Sequence, residues 1–489
     1  MAYKDIREYL AAIEKKGLLK RITAEVNPDL EIAEITDRVS KMPGGGFALM
    51  FENVKGYQIP VVTNALGSME RISLALEVSE PDDIAKRLLE YLDLPTSVGS
   101  GDSSMFAKLK ALPKLAEIGN FMPKLVKNGP CQDVVITEGF DLNNFPILKT
   151  WPLDGGKFIT LPMVFSKDPE TGARNCGMYR LHVYDGQTTG MHWHKLKDGA
   201  AHAEKLRKMN KNRIEVAVAI GSDPAVIYSS NAPLPPIVDE MILAGFLRNA
   251  PVELVKCKTV DIEVPANSEI VLEGYVDIDD LRMEGPFGDH TGFYSLADLY
   301  PTFHLTAITH RQDPIYMATL VGKPPQEDAY LGKVTERLFL PIIKLVQPEV
   351  VDYSMPPEGV FHNCVIVSIK KKYPFHAEKV MNALWGLGQM APTKLFVIVD
   401  DDVDVHNYSE VAWKVFSNID PERDVVFSRG PLDDLDHSSP IQFAGSKMGI
   451  NATRKLPGEG HNREWPPDVE MSPEIKALVD RKWGEYGIK

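Results

Sequence analysis

The sequence predicts a mixed α/β protein that is divided into more than one domain. Three observations lead to this prediction. The N-terminal part mixes helical and strand patterns, residues 130–312 are rich in strand patterns, and the rest of the chain alternates strands and helices. The chain has 489 residues, of which 44% are hydrophobic and 25% are charged, so its composition is that of a globular protein with more than one core.

The N-terminal part begins with an amphipathic helix. Asp5 can cap this helix and Gly17 can end it. Its apolar positions share one face: Ile6, Tyr9, Leu10 and Ile13. A second helix is predicted over 30–42, and apolar runs at 47–51 and 60–62 predict strands. Residues 105–127 then interleave lysines with apolar residues, and we interpret them as a connector between domains.

The centre is predicted to be almost entirely β. A hairpin is expected from strand 159–166, turn 168–172 and strand 175–184. Further strands are predicted at 214–220, 225–228, 260–264, 269–276, 302–309 and 315–321. A single helix near 238–248 interrupts them.

The C-terminal part follows a βαβαβ order. Strands are predicted at 361–369, 394–399 and 424–428, and helices at 376–387 and 409–419. This order predicts a sheet that is covered by helices.

Charge and cysteine content limit the class of protein. Lys and Arg number 54 against 68 Asp and Glu, a net charge of −14, which argues against nucleic-acid binding. No apolar run is long enough for a transmembrane helix, and the first residues lack the apolar core of a secretory signal. The four cysteines are scattered without a CxxC pair, so we expect free thiols and a cytoplasmic protein.

The strongest candidate for chemistry is the segment EGPFGDHTG at 284–292. On a regular strand, Glu284 and Asp289 would point to opposite faces, but the glycines and the proline between them can turn both acids toward one site. Because two close carboxylates repel each other, we expect one of them to keep its proton near neutral pH, as a proton donor requires. On spacing alone, however, a glycine-rich turn with solvated acids is the favoured interpretation.

Two further segments carry candidate residues. Arg180 lies in an otherwise apolar stretch and therefore needs an anionic partner, either a substrate carboxylate or a structural salt bridge. His192 and His194 would share one face of a strand and suggest a metal, with His202 further along the chain. No third ligand, His202 included, has convincing spacing, so ordinary histidines are favoured.

Two charged segments have simpler explanations. The run from Asp400 to Asp404 fits the DDxxD pattern of magnesium-binding pyrophosphate enzymes, but it falls at a strand end, where a solvated acidic turn is favoured. The lysine-rich connector could touch lipid or an acidic partner, and a solvated helix face is the plainer interpretation.

Together these segments resemble the UbiD family of decarboxylases over nearly the full chain. The resemblance is carried by DIREYLAAIEKKGLLKRI, FENVKG, NCGMYR, VPANSEIVLEGY, EGPFGDHTGFY, IVDDDVD and SKMGINATRK. NCGMYR followed by EGPFGDHTG is the most specific part. The C-terminal end, DRKWGEYGIK, is most similar to menaquinone-pathway members.

The resemblance implies a decarboxylase of an aromatic or α,β-unsaturated acid that uses prenylated FMN. Loss of CO₂ from an sp² carbon leaves a carbanion that side chains stabilise poorly, so a cofactor must accept the electrons. By resemblance, Arg180 orients the substrate carboxylate and pairs with Glu284, and Asp289 protonates the carbon that has lost CO₂.

The resemblance also implies a cofactor site. A divalent metal, Mn²⁺, would use Asn175 and Glu240, and K⁺ is a further candidate ion. The expected flavin-contacting residues are Met178, Tyr179, Arg180, His192, Trp193 and His194, with Lys197 and Asp198 near other such positions. Leu196 stands where some relatives offer a histidine to the metal, so the number of protein ligands stays open.

The expected architecture has a central split β-barrel that binds flavin over 116–320. An α/β segment at 1–115 and a C-terminal α/β oligomerisation domain at 321–460 flank it, and a tail helix follows at 461–489. A homo-oligomer is expected, either a dimer or a hexamer, with a prenyl-FMN synthase as supplier of the cofactor.

Three hypotheses for function follow. The first is decarboxylation of a hydroxyarene acid with a prenyl tail in quinone biosynthesis, with peripheral contact at the inner face of the membrane. The second is a degradative decarboxylase, or its carboxylating reverse, on small aromatic or heteroaromatic acids. The third, an inactive flavin-binding scaffold subunit, is opposed by the intact Arg180, Glu284 and Asp289.

Overall fold

A computed structural model describes residues 2–92, 119–193, 198–235 and 238–488. The predicted elements of the N-terminal part are present. They are α1 (Ile6–Lys15), β1 (Leu19–Ile22), α2 (Glu31–Ser40), β2 (Ala48–Phe51), β3 (Val61–Thr63), α3 (Met69–Ala75) and α4 (Asp82–Leu92). The Asp5 carboxylate caps α1 by accepting from the backbone N–H groups of Arg7 and Glu8. The four apolar residues predicted to share one face of α1 are all buried.

The central part is dominated by strands. Its elements are β4 (Lys124–Val126), β5 (Val134–Ile136), β6 (Phe158–Ile159), β7 (Pro162–Lys167), β8 (Arg174–Gly177), β9 (Leu181–Val183), β10 (Thr188–Met191), α5 (Asp198–Lys208), β11 (Arg213–Ile220), α6 (Pro224–Ser229), α7 (Glu240–Arg248), β12 (Glu253–Lys256), β13 (Glu263–Pro265), β14 (Ile270–Glu284), β15 (Phe287–Gly288), β16 (Tyr294–Ser295), β17 (Asp298–His310) and β18 (Tyr316–Met317).

Nine of these strands form one sheet. Their order is β6-β9-β10-β17-β14-β11-β7-β8, and β5 adds to β17. In the described part of the chain, β6 and β8 are the two end strands of this order. The long antiparallel pair β14 and β17 extends beyond its neighbours and ends where Glu284 faces Asp298. We call this extension, residues 280–284 with 298–301, the arm.

Three expectations for the centre are wrong. The predicted strand at 225–228 is the helix α6, because Asp223 caps it and Pro224 occupies its first turn. A further helix, α5, had not been predicted. Lys124–Val126, placed in the connector, forms a strand that pairs with β12. Residues 105–118 of that connector lie outside the described residues.

The C-terminal part has the predicted sheet with helices on both faces. Its elements are α8 (Glu327–Val346), β19 (Val350–Ser354), β20 (Cys364–Ile369), α9 (His376–Trp385), β21 (Leu395–Asp400), α10 (Tyr408–Asn418), α11 (Pro421–Asp424), β22 (Val425–Pro431), β23 (Ala444–Asn451) and α12 (Pro473–Lys482). The strand order is β19-β20-β21-β23-β22.

The hydrophobic cores show how the parts are joined. One core runs through the N-terminal and central parts and includes β18, which pairs with β3. The C-terminal sheet has a separate core on each face, since alternate residues of β20, such as Val365 and Ile366, point to opposite sides. The 20-residue helix α8, absent from the sequence prediction, contributes Leu331 to the first core and Ile343 to one of the C-terminal cores.

Two general properties complete the description. None of the helices in the described part of the chain combines the length and the apolar character needed to cross a membrane. All four cysteines are free thiols.

Candidate active site

Arg180 lies at the centre of a buried cluster of charges. It follows β8, and its side chain is only 8% exposed. Its Nε and Nη2 donate to the two carboxylate oxygens of Glu284 at 2.8 and 3.1 Å, a bidentate pairing. Its Nη1 donates to Asp289 Oδ2 and its Nη2 also reaches Ser295 Oγ at 3.0 Å. The guanidinium therefore joins both acids of the EGPFGDHTG segment.

The chain turns sharply between the two acids. Glu284 ends β14, and Gly285 takes a φ of +90°, in the region that glycine adopts without steric cost. The chain then forms the short pair β15 and β16, in which Gly288 faces Tyr294. The Gly288 N–H donates to Asp154 Oδ1 at 2.8 Å, which connects this turn to the loop before β6. This turn lets two carboxylates five positions apart reach one guanidinium.

The ionisation of these acids differs from the sequence prediction. Burial alone would raise the pKa of Glu284, but hydrogen bonds from His192 and Arg180 and the charge of Arg180 lower it to about 2. Burial also opposes ionisation of Asp289, yet Arg180 and His290 hold its pKa well below the usual range. The expectation that one acid keeps its proton is therefore wrong for the substrate-free protein. The cation between the two carboxylates offsets their mutual repulsion.

Two histidines complete the ion cluster, one on each carboxylate. His192 Nδ1 donates to Glu284 Oε2 at 3.1 Å, and its ring packs on Tyr300 with centroids 4.4 Å apart. The backbone N–H and the Nδ1 of His290 both donate to Asp289 Oδ1, at 2.7 and 2.9 Å.

Residues of the C-terminal part cover the loop that carries Asp289. The His290 ring stacks on Phe361 and meets His362 edge-on, with centroids 6.0 and 5.5 Å apart. Phe293 contacts His437 at 4.0 Å between centroids. The site is therefore closed by two parts of the fold that lie far apart in sequence.

The residues expected to hold cofactor and metal lie beside this cluster. Glu240, in the first turn of α7, is buried and accepts from the backbone N–H of Cys176 at 2.9 Å, which brings its carboxylate next to Asn175. Asn175 Nδ2 and Trp193 Nε1 are buried without a hydrogen-bond partner among the described residues. Buried polar atoms are normally paired, so these two fit a site that receives polar groups of a ligand.

The remaining predicted positions are less fully described. Tyr179 is buried and its hydroxyl accepts from the Gly199 N–H at 3.4 Å, and the Met178 N–H donates to the carbonyl of Ser230 at 2.9 Å. His194, Leu196 and Lys197 lie outside the described residues. Asp198 begins α5, and its side chain also falls outside them.

A histidine metal site finds no support in the described part of the chain. His202 Nδ1 lies 3.2 Å from Ser166 Oγ, and His192 is engaged with Glu284. Over residues 2–92, 119–193, 198–235 and 238–488, no three or more His, Cys, Asp or Glu side chains are arranged to hold a metal ion. A metal here would take Asn175 and Glu240 as its ligands from this part of the chain.

Comparison with known proteins decides the family. Three sequence models match in order: the N-terminal domain of 3-octaprenyl-4-hydroxybenzoate carboxy-lyase at 10–92, its Rift-related domain at 124–324 and its C-terminal domain at 329–452. The chain belongs to the UbiD family. An uncharacterised protein of Archaeoglobus fulgidus is 52% identical over 486 residues, covering 99% of both chains, and one of Aquifex aeolicus is 50% identical over 490 residues, covering 100% of this chain and 99% of that one.

Solved UbiD-class structures share the whole fold. The closed form of vanillic acid decarboxylase from Sedimentibacter hydroxybenzoicus is 29% identical, covers 100% of both chains and has a TM-score of 0.85. HmfF from Pelotomaculum thermopropionicum, solved with FMN, is 31% identical, with 97% of this chain and 99% of that chain covered and a TM-score of 0.80. An evolved dimeric HmfF with prFMN is 30% identical, with 98% and 100% covered and a TM-score of 0.79.

These matches confirm the mixed α/β fold class, the family resemblance and membership of an enzyme class, the carboxy-lyases. The structure of this UbiD-family chain also shows what the sequence interpretation missed. Ser295 and Tyr300 had no assigned role, although both follow the EGPFGDHTG segment closely. His290 lies inside the segment but had no assigned role either, because its contact with Asp289 depends on the conformation of the loop.

Proposed function

We propose that this UbiD-family carboxy-lyase removes CO₂ from an aromatic carboxylic acid without net oxidation, using prenylated FMN. The observation that carries the proposal is the buried Arg180 guanidinium held between the carboxylates of Glu284 and Asp289. Such a guanidinium can bind a substrate carboxylate by donating two parallel hydrogen bonds to it. The vanillic acid decarboxylase and the HmfF bound to prFMN, each similar over nearly its full length, support the substrate class and the cofactor.

Each residue of the cluster then has one task. Arg180 binds and orients the substrate carboxylate, and Glu284 keeps the guanidinium in place through its bidentate pairing. The bond between the ring carbon and the carboxylate breaks and CO₂ leaves. Asp289 gives a proton to that ring carbon. The prenylated flavin supplies the electron sink that side chains lack.

The cofactor would lie beside β8 and β10. Asn175 and Glu240 would hold a divalent metal, Mn²⁺, and K⁺ is a further candidate ion. The proposed flavin contacts within the described residues are Met178, Tyr179, Arg180, His192 and Trp193. Unpartnered Asn175 Nδ2 and Trp193 Nε1 in the described part of the chain support this placement.

The leading substrate proposal is a hydroxyarene acid with a prenyl tail, in quinone biosynthesis. The arm and the loop that joins its strands carry exposed apolar side chains: Leu281, Met283, Leu296 and Leu299, which are 45%, 55%, 87% and 53% exposed. Met283 faces Leu299 across the arm, one residue from the buried Glu284. An apolar surface of this kind is typical of contact with a partner or a membrane. It supports a cytoplasmic protein that touches the inner face of the membrane to collect a tailed substrate.

Decarboxylation of small aromatic or heteroaromatic acids, or their carboxylation in reverse, is the second candidate. The overall similarity to vanillic acid decarboxylase favours it. Turnover of matched acids with and without a prenyl tail separates the two candidates. Equal turnover of both acids, with no binding to anionic vesicles, would remove the quinone proposal.

Assembly as a homo-oligomer, a dimer or a hexamer, is part of the proposal. Among the described side chains of α12 none is buried, and Ile475, Leu478 and Trp483 at this end of the chain are all exposed. A helix of ten residues has marginal stability in water unless it packs against another surface. We therefore propose that a second copy of the chain packs against α12. Analytical ultracentrifugation would measure the state, and a monomer would contradict this part.

The decisive experiment concerns the cofactor. The protein is purified without oxygen after co-expression with a prenyl-FMN synthase, and the bound cofactor is identified by mass spectrometry. We expect prenylated FMN and CO₂ release from an aromatic acid. Only unmodified FMN, or no flavin, under these conditions would refute the mechanism.

A further inference from the structure

We propose that His290 stores the proton that Asp289 later delivers, and passes it to Asp289 when the substrate carboxylate takes over Arg180. This inference rests on the proposed function. It explains how an acid that is ionised in the substrate-free protein can become a proton donor. His290 acts through Asp289 and is therefore a positioning and proton-supplying residue.

Each carboxylate oxygen of Asp289 contacts a different basic residue. Oδ2 accepts from Arg180 Nη1, and Oδ1 accepts from the backbone N–H and the Nδ1 of His290 at 2.7 and 2.9 Å. The Asp289 side chain is 10% exposed and the His290 side chain 21% exposed. The imidazole is therefore partly accessible to water, which can supply a proton.

In this proposal, substrate binding would change only one of these two contacts. Arg180 is the cation that would bind the substrate carboxylate, so the substrate and Asp289 compete for the same guanidinium. A second carboxylate near Asp289 and the loss of its bond to Arg180 both favour its protonated form. The proton that can be transferred to Asp289 is the one on His290 Nδ1, because Nδ1 lies 2.9 Å from Asp289 Oδ1 and an arginine keeps its own protons.

The step conserves charge and atoms. The proton moves from His290 Nδ1 to Asp289 Oδ1, which turns an imidazolium and a carboxylate into a neutral imidazole and a carboxylic acid. Asp289 then gives this proton to the ring carbon as CO₂ leaves. Water returns a proton to His290, so no oxidant or reductant is needed.

The groups around His290 favour its charged form in the substrate-free protein. Burial lowers its pKa, but the hydrogen bond and charge of Asp289, and the charges of Asp328 and Asp433, raise it to about 8. Asp328 lies in the first turn of α8 and Asp433 in the loop after β22, while His362 meets the ring from the segment before β20. These elements hold the ring in place. Asp289 and Asp433 place negative charge beside it, and Asp328, whose pKa burial raises to about 7, adds its charge as pH rises through neutrality.

The first test does not depend on a substrate. Holoenzyme with ¹³C-labelled histidine is titrated by NMR, and the resonance of His290 is assigned from its loss in His290→Asn. We expect a pKa near 8 in the wild type and a fall toward the ordinary value of about 6.5 in Asp289→Asn. The same pKa in both proteins would overturn the inference.

The second test uses turnover of the aromatic acid. His290→Asn keeps a hydrogen-bond donor to Asp289 but has no titrating group. We expect kcat to fall by roughly 10- to 100-fold, with a smaller change in KM, because one step of acid–base catalysis is lost. The wild-type rate should decline as pH rises through about 8, and this limb should disappear in the variant.

A matched control is available in β17 of the nine-stranded sheet. His304 Nε2 donates to Asp280 Oδ2 at 2.8 Å and its side chain is 25% exposed, so His304→Asn breaks a similar pair away from Arg180. This control should keep the wild-type kcat and pH profile. A wild-type profile for His290→Asn would overturn the inference while leaving the decarboxylase proposal intact. No turnover by the wild type would instead contradict the proposed function.

Discussion

The chain has two acidic segments of similar appearance, Glu284 to Asp289 and Asp400 to Asp404, and the fold treats them in opposite ways. In the first, both carboxylates are buried on Arg180, whose side chain is itself only 8% exposed. In the second, Asp402 is 52% exposed and pairs with Arg454, which is 35% exposed, at 2.7 Å. The buried member, Asp400, accepts from the backbone N–H of Arg454 at 2.8 Å.

The contrast appears in the direction of the pKa shifts. Burial raises the pKa of Asp400, while the pKa of Asp289 is lowered despite burial, because Arg180 and His290 face it directly. A cation that is buried with its carboxylates is poorly screened by water, and one at the surface is well screened. The two segments therefore differ because the cation of the first, Arg180, is buried with its carboxylates, whereas that of the second, Arg454, lies at the surface.

Removing the buried cation should have the largest effect. Arg180→Met leaves two carboxylates in the interior without their charge partner, so we expect loss of turnover and a free energy of unfolding lower by roughly 3–5 kcal/mol. Urea unfolding at pH 7 measures the second quantity. The matched variant Arg454→Met should cost about 1 kcal/mol or less, and equal effects of the two variants would contradict the comparison.

Removing the proton donor should abolish catalysis with less effect on the fold. Asp289→Asn keeps the shape of the side chain, so flavin should stay bound. Turnover should fall by roughly 10²- to 10⁴-fold, because a general acid is lost. Deuterium from D₂O should no longer enter the product. Near wild-type activity would mean that another group protonates the product.

The low pKa of Glu284 predicts how stability depends on pH. Its folded pKa of about 2 lies below the ordinary value of 4.5, so its contribution is fully present above about pH 4.5 and is lost as pH falls toward 2. Unfolding by urea between pH 7 and pH 3 should show a steeper loss for the wild type than for Glu284→Gln. Parallel curves for the two proteins would contradict the pairing with Arg180.

The exposed segment should give the smallest effect. Asp402→Asn breaks a surface ion pair, so we expect the free energy of unfolding to change by about 0.5 kcal/mol or less, with unchanged turnover. Thermal unfolding and the decarboxylase assay check both quantities. A loss comparable with that of Asp289→Asn would show that the second segment has a role in the chemistry.

Much of the fold was predictable because its determinants are local. The cap at Asp5 and the apolar face of α1 can be recognised in the nine residues 5–13, and the C-terminal alternation of strands and helices can be recognised in the same way. Where a local pattern gave the wrong element, neighbouring residues determined the structure. Residues 225–228 have strand-forming character, yet the cap at Asp223 and the proline after it start a helix.

The sequence by itself determined the types of most elements, the family and the two acids, Glu284 and Asp289, that meet at Arg180. Only the tertiary structure decided their charge states, because Arg180 meets Glu284 and Asp289 from positions 104 and 109 residues away. Local patterns report burial and turns, whereas a pKa depends on distances between charges that the folded chain alone sets. The contact of His290 with Asp289, and its cover by Phe361 and His362, were decided in the same way.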